Sequence, residues 1–375
     1  MRLSILVPSI GDFGKKGYYN TQEIGLAKAL DCYFEEILVY RMVPIGSEKV
    51  IEKIEGCKNS TMHFVPCKQI GSNGVVDTRI LDASVDAMIF FSDIQMIVPQ
   101  IWRWARKNNI YVFPYIGVVE SHSTSYLARF VMDCLFRRNL RVYKKCTCFV
   151  KTPEVGQKLR DRGVKDVVVA SIGLDVSLMR PKCKTDKLIE LKKKYGYQPE
   201  EKVILFVGRL IDEKQPLRMV DIYSEIFSRD EKYRLIIVGN GNLKADICKL
   251  INEKNLTKQI KIIDKIPNSD IWELYCLSDA FVNLNQQEIF GMAILEAMYY
   301  ECKVVAWKAP GPNFIIENNI SGYLVDSNKA AVSSIMSDDD IGGAAHYRIM
   351  EKFTWTNIAK NIVEIMQRRI NETDF

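Results

Sequence analysis

The chain has 375 residues, 47% of them hydrophobic and 26% charged, with a formal charge of +6 and a pI near 8.6. That length exceeds what one core usually serves, so two domains are expected, and the ordinary composition excludes disordered and fibrous classes. The mild basic excess suits an anionic partner, and no nucleic-acid partner is expected from it. The opening MRLSILVPSIGDFGKKGYY breaks its short apolar run with Gly11, Asp12 and two lysines, unlike a signal peptide. No later stretch reaches the roughly 18 apolar residues of a membrane span, so a cytoplasmic location is expected. Ten cysteines are scattered without a CxxC, and the close pair Cys146 and Cys148 has no histidine nearby to complete a metal site.

In chain order, apolar runs at 3–7, 37–40, 62–65, 87–91, 111–116 and 167–170 predict strands, with helical patterns between most of them. Such alternation predicts a parallel sheet covered by helices on both faces. The stretch 178–202, LMRPKCKTDKLIELKKKYGYQPEEK, is highly charged and is broken by Pro181, Gly196 and Pro199. It places the domain boundary near 180–186, giving a first domain over 1–182 and a second over 183–355. A final helix, about 356–375, is a candidate to pack back on the first domain. A second series of strands follows at 203–207, 235–238, 260–263, 280–284, 304–306 and 323–325. The expected fold is α/β, with two Rossmann-like, doubly wound domains facing a central cleft. In such sheets the loops beyond the carboxyl ends of strands carry the chemistry.

The segment NLNQQEIFGMAILEAM, 283–298, runs from a strand through a glycine turn into a helix. Gly291 falls at the helix start, where free N–H groups and the macrodipole favour a phosphate. Glu296 lies among Ala293, Ile294, Leu295, Ala297 and Met298, so it is poorly solvated and needs hydrogen-bond donors, which a ligand's hydroxyls would supply. Glu288, before the helix, is expected to project toward whatever the phosphate carries. The alternative is a solvated loop glutamate and a helix glutamate paired with a neighbour. Upstream, the strand at 203–207 ends in GRLIDEKQP, and Arg209 with Lys214 suits a diphosphate: the guanidinium grips oxygens in pairs and the ammonium acts as a point charge. Ordinary surface salt bridges are the alternative there. The next strand ends in Gly239, Asn240 and Gly241, where glycines let a flat base approach the backbone.

The pieces FVGRLIDEKQP, LIIVGNGN, KIPNSDIWELYCLSDAFVNLNQQEIFGMAILEAM, PGPNFIIENNISGYLV and the FTW at 353–355 resemble glycosyltransferase family 4 in order and spacing. The resemblance covers most of 148–375 and implies a retaining enzyme of the GT-B fold, with 1–182 as its acceptor domain and 183–355 as its donor domain. By it, Arg209 and Lys214 bind the donor diphosphate, Glu296 binds the ribose hydroxyls, and Glu288 contacts the transferred sugar as a catalytic residue. Phe290, Gly291, Met292 and Ala293 line the phosphate and sugar site, while Lys265 and Ile266 edge the base. Two departures are visible: Lys265 stands where the family usually has glycine, and Phe314 where it usually has glutamate.

The first half resembles the family less closely. The segment GYYNTQEIGLAKAL, 17–30, is similar to the family's glycine loop and first helix, with Gly17 as the donor-side candidate and Thr21 as an N-cap. Tyr18 stands where a second glycine is usual and would crowd a phosphate. The stretch 150–175 matches the family through a strand, a helix and a Gly-Leu-Asp turn. The family often places a histidine after the strand at 111–116; His122 lies several residues beyond it, and Glu120 or Gly117 are the alternatives for that position. No nucleophilic serine or cysteine motif is present, in keeping with a front-face mechanism in which the departing phosphate helps deprotonate the acceptor. Stabilisation of the leaving diphosphate would then be the largest catalytic contribution. No metal and no cofactor are expected, the nucleotide sugar being the substrate. The run Asp338, Asp339 and Asp340 lacks the strand-end setting of a metal-binding DxD site.

Residues 124–145 carry Arg129, Arg137, Arg138, Arg141, Lys144 and Lys145 beside large apolar residues, and Trp102, Arg103, Trp104, Arg106 and Lys107 form a second basic-aromatic cluster. Such surfaces suit an anionic membrane face, and a core-packed helix with a solvated charged face is the alternative. The sequence as a whole predicts transfer of a hexose or N-acetylhexosamine from a nucleotide diphosphate sugar, UDP ahead of GDP, to a glycan or lipid-linked acceptor. The expected setting is surface-polysaccharide synthesis at the inner face of the cell membrane. A nucleotide-sugar epimerase or glycan phosphorylase on the same fold, and a non-catalytic sugar-nucleotide-binding protein, are the rivals.

Overall fold

The computed structural model describes residues 1–10, 22–71, 73–120, 125–183, 185–267 and 269–372. The chain divides into two compact units, Met1–Gly173 with Thr354–Phe375, and Leu174–Phe353.

The first unit contains β1 (Arg2–Val7), α1 (Gln22–Leu30), β2 (Glu36–Pro44), β3 (Val50–Lys53), β4 (Ser60–Cys67), β5 (Gln69–Ile70), β6 (Asn73–Gly74), β7 (Ala87–Phe91), α2 (Val98–Lys107) and β8 (Tyr111–Ile116). It continues with α3 (Tyr126–Tyr143), β9 (Cys148–Val150), α4 (Pro153–Asp161) and β10 (Val167–Val169). Among the described residues its main sheet has the order β10-β9-β8-β7-β1-β2-β4-β3. All neighbours are parallel except β3, which runs antiparallel to β4. Strands such as β1 and β7 are apolar almost throughout because helices cover both faces of the sheet. The edge strand β3, VIEK, is exposed along its length, and its Glu52 and Lys53 discourage pairing with another chain. The short β5 and β6 form an antiparallel hairpin. Thr152 caps α4 by accepting from Val155 N, with Pro153 at the first helical position.

The second unit contains α5 (Thr185–Tyr195), β11 (Lys202–Val207), α6 (Pro216–Arg229), β12 (Tyr233–Val238), α7 (Lys244–Glu253), β13 (Ile260–Ile263), α8 (Ile271–Leu277), β14 (Ala280–Asn283) and α9 (Met292–Tyr299). It ends with β15 (Lys303–Trp307), α10 (Pro310–Ile315), β16 (Tyr323–Val325), α11 (Asn328–Met336) and α12 (Gly342–Lys352). Its sheet, β13-β12-β11-β14-β15-β16, is parallel throughout. Numbered from β11, this is the 3-2-1-4-5-6 order of a dinucleotide-binding sheet, which reverses direction between β11 and β14. Each unit has its own apolar core, one around Leu6, Phe90 and Tyr143, the other around Phe206, Leu235 and Val282.

The junction precedes the expected boundary at 182. Leu174 N donates to Phe353 O at 2.7 Å, Arg180 N donates to Tyr300 Oη at 3.2 Å, and Lys182 pairs with Glu301. The charged stretch after 178 is therefore bonded into the second unit and folds largely as α5; its charge reflects a solvated helix face rather than a linker. The chain returns to the first unit as α13 (Trp355–Glu372). Trp355 packs where a side chain at Gly25 would lie, Tyr111 Oη donates to Ile370 O at 3.2 Å, and Arg369 pairs with Asp166 at 3.0 Å. All ten cysteines are free thiols. Among the described residues no helix is long and apolar enough to cross a membrane.

Gly173 sits at the turn out of the first unit, where a Cβ would fall 2.4 Å from Trp355 N, a backbone atom that cannot swing aside. Gly173→Ala is expected to destabilise the first unit by about 1–3 kcal/mol through overpacking. Urea unfolding followed by tryptophan fluorescence checks this, and an unchanged midpoint would contradict it.

Candidate functional site

The reversal between β11 and β14 sends the following helices to opposite faces of the sheet, so the loops at their carboxyl ends part there. The β11 loop carries Arg209 and Lys214. It is held against the next strand by Gly208 N to Val238 O and Leu210 N to Asn240 O, each 3.0 Å. A Cβ on Gly239, at φ +149°, would lie 1.8 Å from Gly208 O, and one on Gly241 would lie 2.2 Å from Leu210 O. The glycine requirement at these positions thus comes from the protein's own backbone, a cause the sequence did not disclose. After a short turn, Gln215 adopts a left-handed conformation, φ 57° and ψ 44°, and Pro216 opens α6.

The β14 loop carries Glu288. Lys214 Nζ meets Glu288 Oε2 at 2.8 Å, so these side chains, 74 residues apart in sequence, form one ion pair with each partner about four-fifths covered. The same Oε2 accepts from the amides of Asn283 and Asn285, both at 3.3 Å, and the Asn285 amide also donates to Glu213 at 3.1 Å. Asn283 and Asn285 in turn accept from the backbone N–H groups of Asn285 and Gln287, which folds the loop into two consecutive Asx turns. Glu288 Oε1 makes no hydrogen bond among the described residues and is left for a ligand. Arg209 is exposed and likewise has no ion-pair partner among them.

Gly291, at φ +106°, caps α9, so that Met292 and Ala293 supply first-turn N–H groups that the helix itself cannot satisfy. Phe290 is buried, 6.4 Å from the ring of Phe353. Beneath this turn Gly311 N donates to Glu288 O at 2.8 Å, and a Cβ on Gly311 would fall 2.1 Å from Phe290 O. The PGP loop therefore clamps the turn that bears Glu288.

One turn into α9, Glu296 is buried. Its Oε2 accepts from Tyr275 Oη of α8 at 2.7 Å, whereas the buried Oε1 has no hydrogen-bond partner. Burial pushes this carboxyl up to about 7, with the tyrosine hydroxyl pulling the other way. An unsatisfied buried carboxylate oxygen costs about 1–3 kcal/mol or more and calls for a donor. Ile266 is half-buried in the loop after β13, two strands from β11.

In the first unit, Gly17, Tyr18, Thr21 and His122 lie outside the described residues. Of the alternatives to His122, Glu120 pairs with Lys158 and Arg162, both at 3.0 Å, and Gly117 N donates to Asp93 at 2.6 Å. At the carboxyl ends of β1 and β7 a small cavity is lined by Glu23, Arg41, Asp93 and Lys151, with Glu23 and Arg41 forming a buried ion pair. The sequence signal was a charged residue inside the apolar strand EILVYRMVP. Asn283, Asn285, Tyr275 and Gly311 were also missed as supports of the site, and only the asparagines carried a signal, as turn formers after a strand. Among the described residues no cluster of three or more histidine, cysteine, aspartate or glutamate side chains can hold a metal, and Asp339 instead accepts from Tyr323 Oη.

Residues 189–340 match the sequence profile of the glycosyl transferases group 1. The second unit carries a glycosyltransferase group 1 domain. Arg209, Lys214, Gly239, Ile266, Glu288, Phe290, Gly291, Met292, Ala293 and Glu296 all fall inside it. An uncharacterised glycosyltransferase of Methanocaldococcus jannaschii is 28% identical over 48% of this chain and 48% of its own length. The GPI3 subunit of phosphatidylinositol N-acetylglucosaminyltransferase from Saccharomyces cerevisiae is 24% identical over 44% of this chain and 38% of its own. The chain thus spans about half the length, or less, of these curated relatives. The crystal structure of Anabaena HepE in complex with UDP and glucose aligns with a TM-score of 0.71 at 14% identity, covering 98% of this chain and 99% of that one. That likeness extends to the whole fold, and the two Rossmann-like sheets are those of the GT-B class. The resemblance of the glycosyltransferase domain to family 4 is borne out.

Glu296 binds its proton more tightly folded than unfolded, so stability falls as pH rises from its ordinary 4.5 through about 7. Glu296→Gln removes that slope. Between about pH 5 and about pH 8, the ligand-free wild type should lose more thermal stability than the variant, as measured by calorimetry; parallel curves would contradict the assignment.

Proposed function

We propose that the protein is a retaining glycosyltransferase that moves a hexose or N-acetylhexosamine from a UDP-sugar to a glycan or lipid-linked acceptor. The observation that carries this reading is the Lys214–Glu288 pair at the reversal of the second sheet, with Arg209 on the same β11 loop unpaired among the described residues and the α9 start and Glu296 following Glu288 in the chain. Glu288, then the cations with the helix N–H groups, then the buried hydroxyl-seeking carboxylate of Glu296 suit in turn the sugar, the diphosphate and the ribose of such a donor. HepE was crystallised with UDP and glucose, and the yeast relative is named for N-acetylglucosaminyl transfer, which supports UDP and this class of sugar.

Donor binding exchanges the Lys214–Glu288 contact for one between Lys214 and phosphate. This releases Glu288 Oε2 toward the sugar while Asn283 and Asn285 keep the carboxylate in place. The bond between the anomeric carbon and the diphosphate oxygen then breaks, the acceptor oxygen bonds to the same face, and the acceptor's proton passes to the departing phosphate. Arg209, Lys214 and the first N–H groups of α9 stabilise the charge that develops on the diphosphate, so no metal and no other cofactor are required. The acceptor belongs to the first unit, where Gly17 and His122 are the candidates from sequence.

Membrane attachment at the cytoplasmic leaflet is part of this proposal. The start of α3 leaves Tyr126, Leu127, Phe130 and Val131 exposed, beside the exposed Arg129, Arg137, Arg138 and Arg141. Flotation with liposomes is expected to carry the protein upward only when anionic lipid is present, and protein remaining at the bottom would refute the attachment.

Each stabilising group on a developing charge contributes about 10²–10³ in rate. Arg209→Ala with Lys214→Ala should therefore lower transfer from a UDP-sugar by at least about a thousandfold, while Glu296→Ala should mainly raise the donor KM. Labelled-donor assays check both, and near-wild-type turnover by the double variant would sink the site.

A further inference from the structure

The two basic-aromatic clusters of the first half do not form one flat surface. The first cluster's Trp102 and Trp104 pack against the first unit's core, and α3 buries Phe136, Val142 and Tyr143. What remains is a hollow of about 280 Å³ at the amino ends of β8 and β9, opposite the strand ends that carry Asp93 and Lys151. All its described lining residues belong to the first unit. We propose that this hollow is a binding site for the phosphate group of an anionic ligand.

Its walls bring Arg106 of α2, Lys145 after α3 and Arg369 of α13 together with the rings of Trp102, Tyr111 and Phe113. No acidic side chain is among the described lining residues. Asp166 accepts from Thr147 Oγ1 at 2.6 Å and pairs with Arg369 at 3.0 Å, and Glu372 pairs with the same arginine at 2.9 Å. Arg106 and Lys145 have no ion-pair partner among the described residues. Lys145 Nζ instead stands 4.8 Å from the centre of the Trp102 ring, which holds the ammonium at the hollow while leaving its N–H donors unused. Cys146, also in the lining, is pushed up to about 12 by burial and stays a neutral thiol, so it offsets none of this charge.

Both carboxylates, Asp166 and Glu372, are held by Arg369, which leaves Arg106 and Lys145 without acidic partners among the described residues, and a guanidinium beside an ammonium is a combination that grips phosphate oxygens. The hollow exceeds a bare phosphate, and its ring walls leave room for the group that the phosphate esterifies. A free phosphorylated metabolite and a lipid headgroup share this chemistry. The site is independent of the donor reading, because no residue of the second unit contributes to it.

The test uses the full chain carrying Arg209→Ala and Lys214→Ala, so that a diphosphate has no second-unit site to occupy. Inorganic pyrophosphate is titrated calorimetrically, and in parallel the protein is sedimented with phosphatidylcholine vesicles with and without phosphatidylglycerol. Adding Arg106→Ala and Lys145→Ala should weaken one of these by at least about tenfold, as loss of charge-assisted bonds does. Adding Lys49→Ala and Lys68→Ala, which remove equal charge outside both the hollow and the α3 surface, should leave that interaction unchanged. All four arginines and lysines exchanged are exposed, and unchanged melting curves verify folding. Weakening toward pyrophosphate identifies a free phosphorylated ligand, and weakening toward phosphatidylglycerol identifies a headgroup; either supports the site. Unchanged binding in both arms, or an equal loss from the Lys49 and Lys68 pair, overturns it.

Discussion

The reversal of strand order between β11 and β14 is the constraint on which the second unit's chemistry depends. Parallel strands with right-handed crossovers can be wound outward in two directions from a central pair. The helices following that pair must then leave on opposite faces, and the loops between strand and helix separate over the sheet edge. Lys214 of one loop and Glu288 of the other meet there. Gly239 and Gly241 let the β12 loop press against the β11 loop, while Gly311 presses the PGP loop beneath Phe290, so both sides of the opening are set by backbone packing.

Within that frame the Lys214–Glu288 pair stores the site's readiness. Neither side chain is fully buried, so the pair contributes modestly to stability. In the proposed mechanism its value is positional, since the amides of Asn283 and Asn285, the latter also bonded to Glu213, hold the carboxylate when the lysine leaves. Glu296 represents the opposite compromise. It is buried with one oxygen unsatisfied and its proton affinity raised, a local cost that a ribose hydroxyl would relieve. Stability surrendered at such a position is a common signature of a binding site.

Much of this was legible in the sequence for a physical reason. Strands buried on both faces are written as continuous apolar runs, so every run read as a strand, from 3–7 to 323–325, is one in the structure. The edge strand VIEK was not legible, because an exposed antiparallel strand needs no apolar run, and neither were the two-residue strands of the hairpin. The stretch 178–202 misled because charge and prolines mark both a linker and a solvated helix. Arg209, Lys214, Glu288 and Glu296 were candidates from strand-end position and residue type, and the structure brings Lys214 and Glu288 together. Their supports were not: Tyr275 lies on another helix, and the glycine requirement at 239 and 311 depends on which backbone crosses there.

The central claim is that the opening between the β11 and β14 loops receives a nucleotide diphosphate. A crystal structure of the protein with UDP tests it most directly. The account predicts the diphosphate between Arg209, Lys214 and the start of α9, the ribose on Glu296, and Lys214 moved from Glu288 to phosphate. UDP bound at another part of the chain, or an intact Lys214–Glu288 pair with UDP present, would contradict it.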